Sequence, residues 1–234
     1  MKTNTLKMLT LACCGIALSI VVNGQIVTPT NCFPAQGGTY SASNFGEFND
    51  GNTYTITNAE LGDFGACDPV PPAGSGGIAV HATSATFHAM WSVNGFPPQP
   101  ITAPVQVTYR ITDAGPDGSG NELYQTEMLQ LDIQGGTLPA GVMLRESPTL
   151  QSTGQIKTRP VAGGYRIDSF FDIFPEMSVN GGMTWMQSSM PASHMTLPTT
   201  AAIPTLGEWG LIILGSLMVI TAGTILFRRG IFGA

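Results

Sequence analysis

The chain has 234 residues and a formal net charge of −6, and only 10% of its residues are charged. Fifteen Asp and Glu outnumber nine Lys and Arg, so the chain lacks the clustered bases that bind phosphate, and we expect neither nucleic acid nor anionic lipid as a partner of its surface. The length suits one domain with a sizeable core, or at most two small ones.

The first 24 residues predict a secretory signal peptide. Lys2 and Lys7 precede an apolar run from Met8 to Val22, and the small residues that end at Gly24 are typical of a cleavage site. We expect export through the general secretory route and a mature protein that begins at Gln25. The alternative is an uncleaved first helix, although about 15 apolar residues are short for a membrane span.

The cysteines divide into two pairs. Cys13 and Cys14 lie inside the signal core, where lipid attachment is an alternative that the short charged region before them disfavours. Cys32 and Cys67 remain after cleavage, and an even pair in an exported protein predicts a disulfide. Closing a loop of about 35 residues contributes roughly 3 to 4 kcal/mol on the chain-entropy model.

Residues 25–190 predict a mainly β ectodomain. In the run from Val105 to Thr112, apolar residues at odd positions alternate with polar residues at even positions, which indicates one buried and one wet face. Short runs separated by Gly, Pro, Asn and Asp clusters favour an antiparallel sandwich or barrel, and we expect a β-sandwich. The runs are Thr53 to Thr57, Gly77 to Ala82, Ala85 to Val93, Val105 to Thr112, Met128 to Ile133, Val142 to Leu144 and Tyr165 to Phe174.

The best candidate for a metal site is the polar stretch that begins at Asp113. Asp117, Ser119 and Asn121 repeat the one, three, five spacing that supplies hard oxygen ligands to calcium. The glycine expected at the sixth position is Glu122, so no EF-hand is predicted. Calcium is therefore the one cofactor for which the sequence offers ligands, and a solvated turn is the alternative.

Candidate catalytic residues form no recognisable set. His81 and His88 are seven residues apart, so on one extended strand they point to opposite faces, and His194 falls in the expected linker. Ser75 and Ser119, each flanked by glycines, lack the five-residue pattern of a hydrolase nucleophile elbow. We therefore expect a protein that is not an enzyme.

The C-terminal part of the chain predicts a tether and a membrane helix. Residues 191–202 are rich in Pro, Thr, Ala and Ser and indicate a flexible linker. The apolar run from Leu211 to Phe227 reaches roughly 26 Å as a helix, and Trp209 extends it to a comfortable span over residues 209–227. Arg228 and Arg229 form the membrane stop and mark the cytoplasmic end, so the preceding body faces away from the cytoplasm.

A short motif precedes this helix. It consists of Ile203, Pro204, Thr205 and Leu206, with Trp209 and Gly210 at a fixed offset. With the helix and the basic stop, residues 203–234 resemble a bacterial IPTL-CTERM type C-terminal protein-sorting domain, related in logic to the PEP-CTERM signals handled by exosortases. The resemblance implies that an exosortase-like membrane enzyme reads the motif just outside the bilayer. The alternative is a plain single-pass anchor, in which Pro204 only starts the helix.

Two functions are compatible with these observations. The first is an exported, non-enzymatic surface or matrix protein, which reaches the cell envelope as a membrane-anchored precursor and is then displayed or released. The second is a carbohydrate-binding module or secreted hydrolase that acts on envelope polysaccharide and is held by a plain anchor. Exposed aromatic rings at Trp91, Trp185 and Tyr165 would favour binding, and their burial would favour structure. Acid pairs such as Glu127 with Asp132 have no separation that the sequence defines.

Overall fold

The computed structural model describes residues 26–28, 30–35 and 37–197. The predicted signal peptide, residues 1–24, lies outside the described residues. So do the sorting motif, the predicted helix over residues 209–227 and the membrane stop at Arg228 and Arg229.

The described residues form strands and no helix. The strands are β1 (Ile26–Thr28), β2 (Cys32–Phe33), β3 (Tyr40–Asn49), β4 (Thr53–Gly62), β5 (Asp68–Pro69), β6 (Ile78–Val93), β7 (Gln99–Pro116), β8 (Glu122–Gln134), β9 (Met143–Glu146), β10 (Ser152–Val161), β11 (Gly164–Ile173), β12 (Pro175–Ser178), β13 (Met186–Gln187) and β14 (Ser193–Thr196). Within this part of the chain, no helix is long and apolar enough to cross a membrane.

Eight strands close into one antiparallel barrel, in the order β3, β4, β6, β7, β8, β10, β11 and β14. Closure depends on two of them, because β10 pairs with both β8 and β11, and β14 pairs with both β11 and β3. The predicted mainly antiparallel β fold is confirmed, whereas the predicted sandwich is wrong, since one continuous ring replaces two facing sheets. Both architectures show the same alternation of apolar and polar residues, so only strand pairing distinguishes them.

The interior of the barrel is a packed core. Along β7, side chains at odd positions from Ile101 to Asp113 are buried, which confirms the faces predicted for Val105 to Thr112. One cavity inside the barrel has a volume of about 10 Å³ and is lined by hydrophobic and aromatic side chains. Because this volume holds at most about one water molecule, this cavity has no room for a ligand.

Strands β2 and β5 form a short antiparallel ladder, which contributes the buried side chain of Phe33 to the core. The Cys32–Cys67 disulfide joins β2 to the residue just before β5, with 5.5 Å between the Cα atoms, and confirms the predicted pairing. The Phe33 ring lies 5.0 Å from the Tyr109 ring and 6.0 Å from the Phe171 ring. The Tyr109 hydroxyl donates a buried hydrogen bond of 2.7 Å to the Phe33 carbonyl. The disulfide therefore attaches an internal plug, residues 32–35, to the connection between β4 and β6.

Strand β14 corrects the predicted domain boundary. The sequence predicts a linker from residue 191, but β14 lies between β11 and β3 as part of the barrel wall. Its first and third side chains are buried and its second, His194, is exposed, which is the alternation of a barrel strand. Leu197 continues the pairing, because its N–H donates to the Ser169 carbonyl at 2.9 Å. The barrel therefore includes residues up to at least Leu197, beyond the predicted boundary at residue 190.

Strand β8 changes partner along its length. Residues 122–128 pair with β10, whereas residues 132–134 pair with β9. A register shift in the β7–β8 ladder leaves Leu129 exposed between the two parts, as a β-bulge does. Strand β9 continues outside the ring to β12 and β13. A gap therefore opens beside β8, where β9 and β10 diverge.

Candidate functional site

A cleft of about 390 Å³ occupies the gap beside β8. Its walls come from β8, from the end of β9 and from the loop over residues 147–151. Leu129 and Leu150 line the cleft and are 40% and 41% exposed. Two carboxylates, those of Glu127 and Glu146, line it as well. The cleft is open to solvent and brings apolar and ionisable groups together.

The carboxylate of Glu127 is paired across the strands. Glu127 faces Arg110 on β7 in register, and the Arg110 guanidinium donates to its carboxylate in an ion pair. The Glu127 side chain is 20% exposed, so the group keeps an open side toward the cleft. The guanidinium stabilises a negative charge on this wall.

The carboxyl group of Glu146 has a different environment. Burial raises the pKa of Glu146 to about 7, because the charged form loses hydration. The negative charges of Glu176 and Asp132 raise this pKa further, whereas a hydrogen bond from Ser152 and the charge of Arg145 lower it. Glu146 therefore takes up a proton close to neutral pH.

Arg145 and Ser147, the chain neighbours of Glu146, both bond to the buried carboxylate of Glu176. The Arg145 Nε and Nη2 atoms donate to one oxygen of Glu176 at 2.9 and 2.7 Å, and Ser147 Oγ donates to the other oxygen at 2.8 Å. The Glu176 side chain is only 6% exposed. The Arg145 guanidinium also lies 4.0 Å from the centre of the Trp185 ring. The network fixes the end of β9 and with it the position of Glu146.

The two walls of the cleft can therefore carry different charges near neutral pH. A protonated carboxyl beside an ionised one is the arrangement that general acid–base chemistry uses, and it also suits hydrogen bonding to hydroxyl-rich ligands. Sequence reasoning missed Glu146, because its environment comes from Ser152 and Glu176, which are distant in the chain or on other strands. The residues next to Glu146 in the sequence form no motif that indicates a raised pKa. Glu127 and Asp132 face different arginines in register, Arg110 and Arg145.

The pKa of Glu146 predicts how stability depends on pH. The folded state holds this proton more tightly than the unfolded state, in which the carboxyl has its ordinary pKa of about 4.5. The free energy of unfolding therefore loses a contribution as the pH rises from about 4.5 to about 7. We expect Glu146→Gln to remove this loss, so that the variant equals the wild type at low pH and exceeds it above pH 7. Urea titrations at several pH values measure the difference, and parallel curves for both proteins would contradict the prediction.

Asp117 organises the turn between β7 and β8. Its Oδ1 accepts from the backbone N–H groups of Ser119 and Asn121 at 2.7 and 3.2 Å, and its Oδ2 accepts from the Asn121 side chain at 2.6 Å. These hydrogen bonds, of which the Asn121 side chain contributes most, lower the pKa of Asp117. The Lys157 ammonium lies 3.9 Å from Oδ2. The carboxylate oxygens thus already have donors within the turn.

Asp113 faces a different loop. Its Oδ1 accepts from the Gly115 N–H at 3.0 Å and its Oδ2 from the Gly76 N–H at 2.8 Å. The hydrogen bond from Gly115 is the largest cause of a lowered pKa at this buried carboxylate. Asp113, Asp117, Ser119 and Asn121 therefore hold turns together, and calcium binding by them stays a prediction.

The histidines lie apart from one another. His81 contacts Asp68 with 3.2 Å between Nδ1 and Oδ2, whereas His88 faces outward beside Thr102. They point to opposite faces of β6, as predicted. His194 Nδ1 lies 2.6 Å from Asp172 Oδ1, and both side chains are exposed. Among residues 26–197 that the structure describes, no group of three or more His, Cys, Asp or Glu is placed to hold a metal ion.

The three aromatic residues named from the sequence form no exposed platform. Trp91 is 7% exposed and packs against Tyr54, with 5.5 Å between ring centres. Trp185 is half-buried under Arg145, and its indole N–H donates to the Gly182 carbonyl. Tyr165 is half-buried near the start of β11. Their burial favours a structural role over stacking on sugar rings.

The residues of the predicted sorting motif lie outside the described residues, so comparison with known proteins is the source of information about them. Residues 201–229 match the family model described as the IPTL-CTERM motif. The chain carries an IPTL-CTERM motif. The match spans all six predicted motif residues, Ile203, Pro204, Thr205, Leu206, Trp209 and Gly210, and the two arginines of the predicted membrane stop.

The IPTL-CTERM motif follows the barrel closely. Leu197 still pairs with the barrel wall, and the match begins at residue 201. The motif indicates a C-terminal sorting signal and is consistent with an exported, membrane-anchored envelope protein. Comparison of the chain with curated proteins and with solved structures gives no match.

Proposed function

We propose that this chain is an exported, non-enzymatic surface or matrix protein, and that an exosortase-like membrane enzyme reads its IPTL-CTERM motif. The observation that carries the proposal is the match over residues 201–229. The folded domain is then the part that is exported, and the motif is its sorting signal. The protein is first a membrane-anchored precursor and is then displayed on the cell surface or released.

The folded body supports this function in two ways. A disulfide between Cys32 and Cys67 suits a protein that leaves the reducing cytoplasm. Leu197, the last described residue, still bonds to the barrel wall, and Ile203 follows it six residues later in the chain. Residues 198–202 let the motif lie up to roughly 20 Å from Leu197 when extended. A processing enzyme needs such a motif outside the packed domain.

Exchange of the motif residues tests the proposal. We expect Pro204→Ala with Thr205→Ala to cause full-length precursor to accumulate in the inner membrane, because the apolar run from Leu211 is unchanged while the recognised residues are lost. Immunoblots of fractionated envelopes measure the size and location of the protein. Pro198→Ala with Thr199→Ala is the matched control, since it removes the same two residue types just before the motif, and it should be processed normally.

The opposite outcome is equally definite. If the Pro204→Ala, Thr205→Ala protein keeps the size and location of the wild type, the motif is not read, and the protein is held by a plain single-pass anchor.

The cleft beside β8 favours a second function, binding or hydrolysis of envelope polysaccharide. Its supporting observation is the placement of Glu127 and Glu146 on one cleft of about 390 Å³. Retention on or cleavage of an envelope polysaccharide by the wild type, but not by Glu127→Gln, would favour this function over the first.

A further inference from the structure

The inner face of β8 begins with three polar side chains, those of Glu122, Tyr124 and Thr126. They alternate with Leu123 and Gln125, which point away from the core. Each of the three has a buried oxygen that lacks a hydrogen-bond partner within the part of the chain that the structure describes. Because a polar atom loses its hydration on burial, buried oxygens in folded proteins nearly always have a partner. Three such oxygens on one strand therefore indicate a polar ligand inside this end of the barrel.

Neighbouring segments bring further oxygens to the same place. Asp113 on β7 faces Tyr124 in register, and Thr158 on β10 faces Glu122. Asp113, Tyr124 and Thr158 are all buried. Asn31, the residue before β2, lies with Thr158 beside the Tyr124 hydroxyl, outside the geometry of a hydrogen bond, and its Oδ1 is also buried without a partner. Oxygens from β7, β8, β10 and the chain before β2 thus converge.

The position of Asn31 is fixed by contacts that involve none of these oxygens. The next residue, Cys32, is bonded to Cys67. The Val70 N–H donates to the Asn31 carbonyl at 3.4 Å. The amide side chain is therefore held beside β8 before any ligand binds, and a preorganised group loses little conformational entropy on binding.

The charge at this end of the barrel favours a cation. Burial raises the pKa of Tyr124, and the negative charges of Asp113 and Glu122 raise it further, so both charges act at its hydroxyl. The Asp113 oxygens already accept from backbone N–H groups. Glu122 has no base within ion-pair distance among the described residues, and Lys157 contacts Asp117 instead. A buried carboxylate needs a counter-charge, which a neutral ligand does not supply.

The ligand atoms identify the class of cation. Glu122 offers a carboxylate oxygen, Asn31 an amide oxygen and Tyr124 a hydroxyl oxygen, and these are hard ligands of the kind that calcium prefers. Calcium also accepts irregular coordination, whereas magnesium requires a nearly ideal octahedron. The site contains only two acids, so it differs from the groups of three or more His, Cys, Asp or Glu that are absent among the described residues.

We propose that a calcium ion binds inside the barrel between Glu122, Tyr124 and Asn31. Glu122 Oε2, Tyr124 Oη and Asn31 Oδ1 are its protein ligands, and Asp113 adds negative charge from the facing strand. The ion joins the chain before β2 to the barrel wall, in addition to the Cys32–Cys67 disulfide. With one charged ligand, the site belongs to the weak class typical of extracellular proteins, with a Kd of roughly 0.1 to 1 mM.

The test measures unfolding of the full-length chain in mild detergent after treatment with a chelator. Urea titrations are compared in calcium, magnesium and sodium chloride at equal ionic strength. At about 10 mM calcium, we expect the ratio of folded to unfolded protein to rise roughly 10- to 100-fold, because binding to the folded state alone multiplies it by one plus the ratio of free calcium to Kd. Magnesium should have a smaller effect. Equal effects of the three salts would show only screening of the acidic surface and would overturn the proposal.

Three variants locate the ion. Glu122→Gln keeps the shape of the side chain and should abolish the calcium effect, while its stability without calcium should equal or exceed that of the wild type because a buried charge is removed. Tyr124→Phe keeps the ring and should weaken the effect. Asp117→Asn changes an acid of the turn predicted from the sequence and should keep the full effect. A calcium effect that is lost in Asp117→Asn but kept in Glu122→Gln would assign calcium to the turn and refute the interior site. Stability of the wild type that does not depend on calcium would assign the interior space to water, with the same consequence.

Terbium luminescence gives a readout that does not depend on stability. Terbium replaces calcium at oxygen sites and emits when an excited aromatic ring lies close to it. We expect emission from the folded wild type that excess calcium removes, and loss of most of it in Glu122→Gln and Tyr124→Phe. Unchanged emission in both variants would contradict the proposed ligands. No sorting enzyme is present in these experiments, so their outcome is independent of the Pro204 and Thr205 experiment.

Discussion

Replacement of Cys32 and Cys67 by serine is expected to lower the free energy of unfolding by roughly 3 to 4 kcal/mol. The disulfide closes a loop with a sequence separation of 35, and its loss frees that loop in the unfolded chain. The ladder of β2 with β5 has only two residue pairs, so little else holds the plug to the connection between β4 and β6. Guanidinium titration of the purified full-length chain in mild detergent, with and without a reductant, measures the change.

A smaller variant serves as the control for the plug. Tyr109→Phe removes only the hydrogen bond to the Phe33 carbonyl and leaves the disulfide and the ring packing in place. We expect a loss of about 1 kcal/mol from this change. Coincident unfolding curves for the oxidised and reduced wild type would show that the disulfide does not stabilise the barrel.

Arg145→Ala is expected to lower the free energy of unfolding by about 3 to 5 kcal/mol. The change leaves the carboxylate of Glu176 in a buried position without its cation, and Ser147 alone cannot compensate the charge. It also removes the guanidinium that covers the Trp185 ring. Urea titration at neutral pH measures the effect.

The chain contains a matched pair for comparison. Arg110→Ala breaks an ion pair of the same kind with Glu127, but its arginine is 43% exposed, so we expect a cost of about 1 kcal/mol or less. In the Arg145→Ala background, Glu176→Gln should recover much of the lost stability because it removes the buried charge. Equal costs for the two arginine variants would contradict the role assigned to burial.

Features that depend on neighbours in sequence were predictable. The alternation from Val105 to Thr112 identified the buried face of β7, because side chains on an extended strand point to opposite sides in turn. The even pair Cys32 and Cys67 predicted the disulfide, and the motif from Ile203 to Gly210 predicted the IPTL-CTERM match. Each of these signals depends on residue types, their number or their spacing along the chain, and no knowledge of the fold is needed to read it.

Features that depend on distant partners were decided only by the tertiary structure. The same alternating strands fit a sandwich or a barrel, and the ring closes because β10 and β14 each find a second neighbour. The raised pKa of Glu146 comes from burial in this fold, and the facing of Asp113 and Tyr124 comes from the register between β7 and β8. Composition and spacing predict which residues prefer to be buried or paired. The electric field at a side chain depends instead on which strands lie beside it, and these neighbours are defined only once the chain has folded.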